Sequence, residues 1–237
     1  MEQAEYALMD AAEGGMWWYR ALHARLLDAI AGIQGPVLDA GCGTGGLLAA
    51  LRARVNTVSA IGLEFDRAAA HRAQEKGGSP VACGSVNELP FADTSFGVVV
   101  LADVLCHAAV DPGRALAEAK RVLRPGGRVI VNMPAYAWLM SAHDARVRNA
   151  RRMNARQTAS LLALAGFRGA RVRYWNGLLL PLMMIQRKLL TDGNSASDVA
   201  PFPPWLNATL HGITRIERRL PFALPAGGSV LAIAEKP

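Results

Sequence analysis

Residues 37–46 read VLDAGCGTGG: two aliphatic residues, a small acid, then four glycines within the six positions 41–46. Such a run reads as a buried strand end feeding a tight turn. Glycine is needed where the chain takes left-handed conformations or where something must come against bare backbone. The next residues, LLAALRAR (47–54), place leucines at helical spacing. Strand, glycine turn and helix together form the ligand-binding unit of an open α/β sheet.

Working outward, strand-length apolar runs alternate with helical patterns. VSAIGL (58–63) is a second strand, and Asp66 is placed to cap the alanine-rich helix that closes at Gly77 and Gly78. PVACG (80–84) and FGVVVLADVL (96–105) follow, the latter continuously apolar like a central parallel strand. Asp111 and Pro112 open a helix that stops at RPGG (124–127), before RVIVNM (128–133). The helix ARQTASLLALAG (155–166) and the strands ARVRYW (170–175) and GSVLAIAEK (228–236) complete the series. Alternation of this kind implies an α/β fold, a doubly wound sheet with right-handed crossovers. Two segments fall outside it: residues 1–34, helical in pattern, and the long 176–226 interval with GLLLPLMMI, TDGNSASD and PFPPW. The expected organisation is a single domain over 1–237, with an N-terminal helical cap (1–34), a core (35–175), an insertion or cap (176–226) and a final strand (227–237).

About half of the 237 residues are apolar, as in a globular chain. Three cysteines, Cys42, Cys83 and Cys106, show no paired spacing, which suits a reducing compartment and neither a disulfide framework nor a metal site. The first residues carry acids where a signal peptide carries positive charge, so a cytoplasmic chain is expected. The net charge of +7 is uneven: residues 145–191 hold ten basic residues and no acid. Such a block is either a solvated face or an attractor for anionic lipid, phosphate or nucleic acid. Three of its members, Arg148, Arg151 and Arg152, are expected to share one face of a helix.

Gly41-x-Gly43-x-x-Gly46 satisfies the dinucleotide fingerprint, with Glu64 at a suitable distance for a ribose, so a nicotinamide-dependent oxidoreductase is one reading. Asp39 weighs against it. An acid at the strand end opposes a pyrophosphate and favours a ligand with a positive pole, such as an ammonium or sulfonium centre.

With the residues in place, VLDAGCGTGG resembles motif I of the class I S-adenosylmethionine-dependent methyltransferases of small-molecule type, methyltransferase type 11-like. IGLEFD (61–66) resembles the second motif, residues 83–107 the third and fourth, and EAKRVLRPGGRVIVNMP (118–134) the fifth. The resemblance implies a Rossmann-like, mostly parallel seven-stranded sheet whose last strand is antiparallel, with a helical cap. It implies S-adenosyl-L-methionine as cofactor, held by Asp39, Gly41, Cys42, Gly43, Ser85, Val86 and Ala102. Glu64 would accept from both ribose hydroxyls, and Phe65 would lie on the adenine. Ser85 stands where the family carries an acid, and Gly97 where an acid begins strand four. The family's aromatic-rich first helix corresponds to MWWYRALHARL (16–26), so Tyr19 or Arg20 would meet the cofactor carboxylate while Trp17 and Trp18 close the acceptor pocket. His107, just past strand four, is the candidate base and also a cofactor neighbour; His143 and Asp144 form a second pair that would orient the acceptor. An apolar insertion beside an arginine block suits a small or amphiphilic acceptor and peripheral contact with a membrane. Nucleic-acid modification is the weaker alternative, since no RNA-binding module is appended.

Overall fold

Unbroken aliphatic runs cannot leave one face in water, so they pair into a sheet covered on both sides. In the computed structural model, which describes residues 3–54, 59–189 and 202–237, they form seven strands: β1 (Val37–Ala40), β2 (Ala60–Glu64), β3 (Val81–Cys83), β4 (Phe96–Ala102), β5 (Leu123–Pro134), β6 (Arg168–Trp175) and β7 (Ser229–Glu235). Their order is β3-β2-β1-β4-β5-β7-β6, and β7 alone runs antiparallel to its neighbours. The sheet is Rossmann-like, as the sequence implies. The order in which successive strands are added reverses between β1 and β4, which opens a crevice at their carboxyl ends.

α1 (Gln3–Ala12) and α2 (Trp17–Ile30) precede the sheet. α3 (Gly46–Arg54), α4 (Arg67–Gly77), α5 (Pro112–Val122), α6 (Ala142–Arg146) and α7 (Ala155–Leu164) lie between strands, and α8 (Leu180–Leu189) and α9 (Pro204–Arg218) between β6 and β7. The helix starts follow local chemistry. Asp66 accepts from the amides of Ala68 and Ala69, Asp111 accepts from Arg114, and Gly78 closes α4 at φ +60°. TDGNSASD lies outside the described residues.

Two apolar cores sit on opposite faces of the sheet, one under α5 and α7, the other under α2 and α3. Gly97 has a steric reason: a Cβ there would collide with the Gln34 carbonyl, so β4 must pass the α2–β1 turn without a side chain. The segment after β6 is anchored by one buried carboxylate. Glu217 of α9 accepts from the amides of Asn176 (2.6 Å), Gly177 (2.8 Å) and Leu178 (3.1 Å), and from Arg25 of α2 (3.1 Å).

The arginine block is not a uniform face. α6 ends at Arg146 and α7 begins at Ala155, so Arg148, Arg151 and Arg152 lie on no helix and share no helical face. Arg151 turns inward, its Nη1 donating to the carbonyls of Leu105, His107 and Val110. Arg152 is buried in a bidentate pair with Asp144 (2.8 Å). Arg146 lies 3.5 Å from Glu5 of α1. Arg148, Arg156, Arg168, Arg171 and Arg173 are exposed.

Candidate functional site

A cavity of about 570 Å³ opens at the carboxyl ends of β1, β2 and β4, roofed by α1 and α2 and bordered by α6 and the first turns after β6. Gly41, Gly43 and Gly45 take positive φ (+91°, +55° and +93°), which keeps the turn flat against the crevice. A Cβ at Gly41 would run into the Val104 side chain, and one at Gly43 would lie 2.7 Å from the Met9 methyl. The floor is therefore bare backbone.

Two acids stand on that floor. Asp39 is 3% exposed, and burial first, then Glu13 and Glu64, push its carboxyl up to about 7. Among the described residues no cation offsets it, so a positive charge placed beside it would be favoured. Glu64, at the end of β2, accepts from the Gly43 amide through Oε2 (2.9 Å). Its Oε1 accepts from the Asp66 amide (3.0 Å) and the Tyr6 hydroxyl (2.9 Å). The Tyr6 hydroxyl thus occupies an acceptor that a ribose diol would use, and the charge of Glu64 is one of the causes that hold its phenol protonated. α1 is tied down further by Glu13, which accepts from Thr44 (2.6 Å) and Lys76 (2.5 Å).

The other expected contacts divide. Cys42, Phe65, Ser85, Val86, Ala102, Tyr19, Trp17, Trp18, His107, His143 and Asp144 all border the cavity. Cys42 turns its sulfur into the core toward Gly62, leaving only its backbone for a ligand. Phe65 is 77% exposed, a free apolar face at the rim. Ser85 accepts from the Asn87 amide, and its hydroxyl proton stays available. Arg20 is a correction: it faces a separate cleft between α2, α3 and α9, because residue 20 falls a helical step away from Tyr19, and it borders none of this cavity. Asp144 is a second correction. Its oxygens are taken by Arg152, Asn149 and the Ser141 amide, so it fixes the loop and is not a free group for orienting an acceptor. His107 is held neutral by burial, and its carbonyl is one of those held by Arg151.

One residue had no signal of its own in the sequence. Asp103 follows β4 directly, takes φ +53° and borders the cavity. Both its oxygens accept from Asn132 Nδ2 (2.9 and 3.0 Å), and Asn132 in turn accepts from Trp175 Nε1 (2.8 Å). Arg25 lies 4.7 Å over the Trp175 ring. Burial raises the Asp103 carboxyl to about 6, with Asn132 opposing the rise. This is a fixed carboxylate, ionised at neutral pH and close to accepting a proton. Among the described residues no cluster of His, Cys, Asp and Glu is arranged to hold a metal.

The donors and acceptors suit a nucleoside with an amino-acid tail. Glu64 offers acceptors for a cis-diol, Asp39 an anion for an ammonium, and Phe65 and Val86 apolar surface for a base.

Residues 38–131 match the family model described as a methyltransferase domain. A probable S-adenosylmethionine-dependent methyltransferase of Mycolicibacterium smegmatis is 34% identical over 171 residues, 69% of this chain and 63% of that protein. The chain spans 63%, 37% and 54% of the lengths of three curated relatives that it matches. Among solved structures, a possible histamine N-methyltransferase of Thermotoga maritima superposes with a TM-score of 0.65 at 20% identity, covering 99% of this chain and 96% of that one. Geranyl diphosphate C-methyltransferase of Streptomyces coelicolor, solved with S-adenosyl-L-homocysteine, gives 0.64 at 17% identity, covering 92% and 76%. At these identities the superpositions speak for the fold.

Proposed function

We propose that the chain is a class I S-adenosylmethionine-dependent methyltransferase and that it transfers a methyl group from S-adenosyl-L-methionine to a small, amphiphilic acceptor. The observation that carries this is the pairing of a glycine floor with Glu64 and Asp39, one acid for a diol and one for a cation. Glu64 would hold the ribose, Asp39 the methionine ammonium, the amides of the 41–43 turn the tail, and Phe65, Ser85 and Val86 the adenine. A nicotinamide dinucleotide fits less well, since its pyrophosphate would lie beside an acid at position 39.

The bound cofactor supplies an already activated methyl group. What remains for the protein is alignment, exclusion of water and removal of the acceptor's proton. Asp103 is the residue for that last task. Asn132 fixes its oxygens, its left-handed backbone aims it at the cavity, and its carboxyl is raised toward neutrality. His107 is a neutral neighbour that orients or relays. Trp17, Met16, Met183 and Phe202 give the outer part of the cavity an apolar lining, which supports an acceptor with a hydrocarbon part.

Calorimetric titration with S-adenosylhomocysteine and, separately, NAD tests the cofactor. Binding of the first and not the second is expected; the reverse result overturns the reading. Incubation with labelled cofactor and fractionated lipid and aqueous extracts then reports the acceptor class, with label in the lipid fraction expected.

A further inference from the structure

Exposed large apolar side chains concentrate on α8, α9 and the turns beside them. Leu182 and Ile185, 50% and 47% exposed, lie three apart on α8, and Leu178, 46% exposed, stands in the turn before it. Met184 adds to these, and Trp205, Ile216 and Phe222 stand out from α9 and the turn after it at 71%, 62% and 60%. Glu217 joins the two groups, since it holds the Leu178 amide at the last turn of α9, beside Ile216.

The charge carried by this stretch of chain is basic, with Asp28 of α2 beside Arg218 as a neighbouring acid. Among the described residues from 168 to 223, Glu217 is the only acid, and it points inward onto Arg25 and three amides. Among the described residues Arg215 of α9 and Arg219, just past its end, have no carboxylate partner, while Arg218 pairs with Asp28. Residues behind the face reach the cavity: Met183 contacts Asn176 and, with Phe202, lines the cavity wall. α8 has ten residues and cannot span a bilayer.

We infer that the α8–α9 face is a docking surface for an anionic membrane, from which an acceptor with a hydrocarbon chain enters past Met183 and Phe202. The entry route rests on the proposed acceptor class; the docking does not. An exposed apolar stripe flanked by unpaired arginines is what an interfacial helix presents to headgroups and acyl chains. Arg151 and Arg152 of the 145–191 block take no part in this contact, because they are spent inside the fold.

The test is co-sedimentation of the full chain with phosphatidylcholine vesicles and with 3:1 phosphatidylcholine–phosphatidylglycerol vesicles. Pelleting should be at least about fivefold greater with the anionic vesicles and should fall as salt rises. The exposed double variant Leu182→Asp/Ile185→Asp should lose about fivefold or more of that pelleting while its S-adenosylhomocysteine affinity stays within about twofold, which shows it folded. Wild-type protein left in the supernatant with both vesicles, or a double variant that pellets like wild type, overturns the inference. So does a wild-type dimer in sedimentation equilibrium that the double variant dissolves, since a second copy would then own the face. Pelleting by a chain that takes no S-adenosylhomocysteine would retain the docking face and remove the cofactor reading.

Discussion

If Asp39 pairs with the cofactor ammonium as proposed, cofactor affinity should depend on pH, and the size of the effect follows from the surroundings of Asp39. Burial, Glu13 and Glu64 raise its carboxyl to about 7 in the free protein. An ammonium beside it should return it to the ordinary carboxylate range, around 4. At pH 8 the free site is already ionised. At pH 5.5 nearly every free molecule must lose a proton before it binds, which weakens affinity by about 30-fold, or roughly 2 kcal/mol. The linkage for folding has the opposite sense. A carboxyl raised above its unfolded value stabilises the native state below pH 4, and that contribution is lost as pH rises through about 7. Calorimetry with S-adenosylhomocysteine, whose amino group stays charged over this range, isolates the effect. Repeating the pH 7 titration in buffers of different ionisation enthalpy should report release of about half a proton. Asp39→Asn should flatten the profile while the glycine turn still folds. Affinity that is constant from pH 5.5 to 8, or an Asn variant with the wild-type slope, would refute the pairing of Asp39 with the ammonium.

Three further outcomes are expected. Glu64→Ala should weaken cofactor binding by about 2 kcal/mol or more, the loss of two charge-assisted hydrogen bonds, and an unchanged titration would show that the ribose lies elsewhere. Asp103→Asn should leave cofactor affinity within about twofold and lower turnover by about 100-fold or more; full turnover would remove the proton-acceptor role. Glu217→Ala strands Arg25 and three amides and should cost about 3–5 kcal/mol, read as a fall in melting temperature of about 10 °C.

The sheet was legible because its signals are local. Aliphatic runs name the strands, Asp66 and Asp111 name two helix starts, and the glycines name the turn. The glycine turn on the cavity floor was legible for the same reason. What was not legible depends on chain segments meeting from far apart. Tyr6 reaches Glu64 across 58 positions, and Glu13 reaches Thr44 across 31, with no periodicity to announce either. Asp103 is a single residue past a strand end, distinguished only by its backbone conformation and by Asn132 on the next strand. The arginine block misled because an uninterrupted run of one charge resembles a surface. Here Arg151 is turned instead onto the carbonyls of Leu105, His107 and Val110. Arg20 and Tyr19 are adjacent in sequence yet open on different clefts, which a motif comparison has no means of separating.

The manner in which Glu217 holds the segment after β6 bears on how this protein can change over generations. Three of its four partners are backbone amides, which every residue but proline provides, so the fastening is indifferent to the side chains at 176–178. The insertion can exchange much of its sequence, and with it the acceptor it admits, provided that one carboxylate and Arg25 persist. The glycine floor and its two acids lie on other strands and are untouched by such exchange. A lineage could therefore try new acceptors by rewriting the cap, without relearning how to hold the methyl donor.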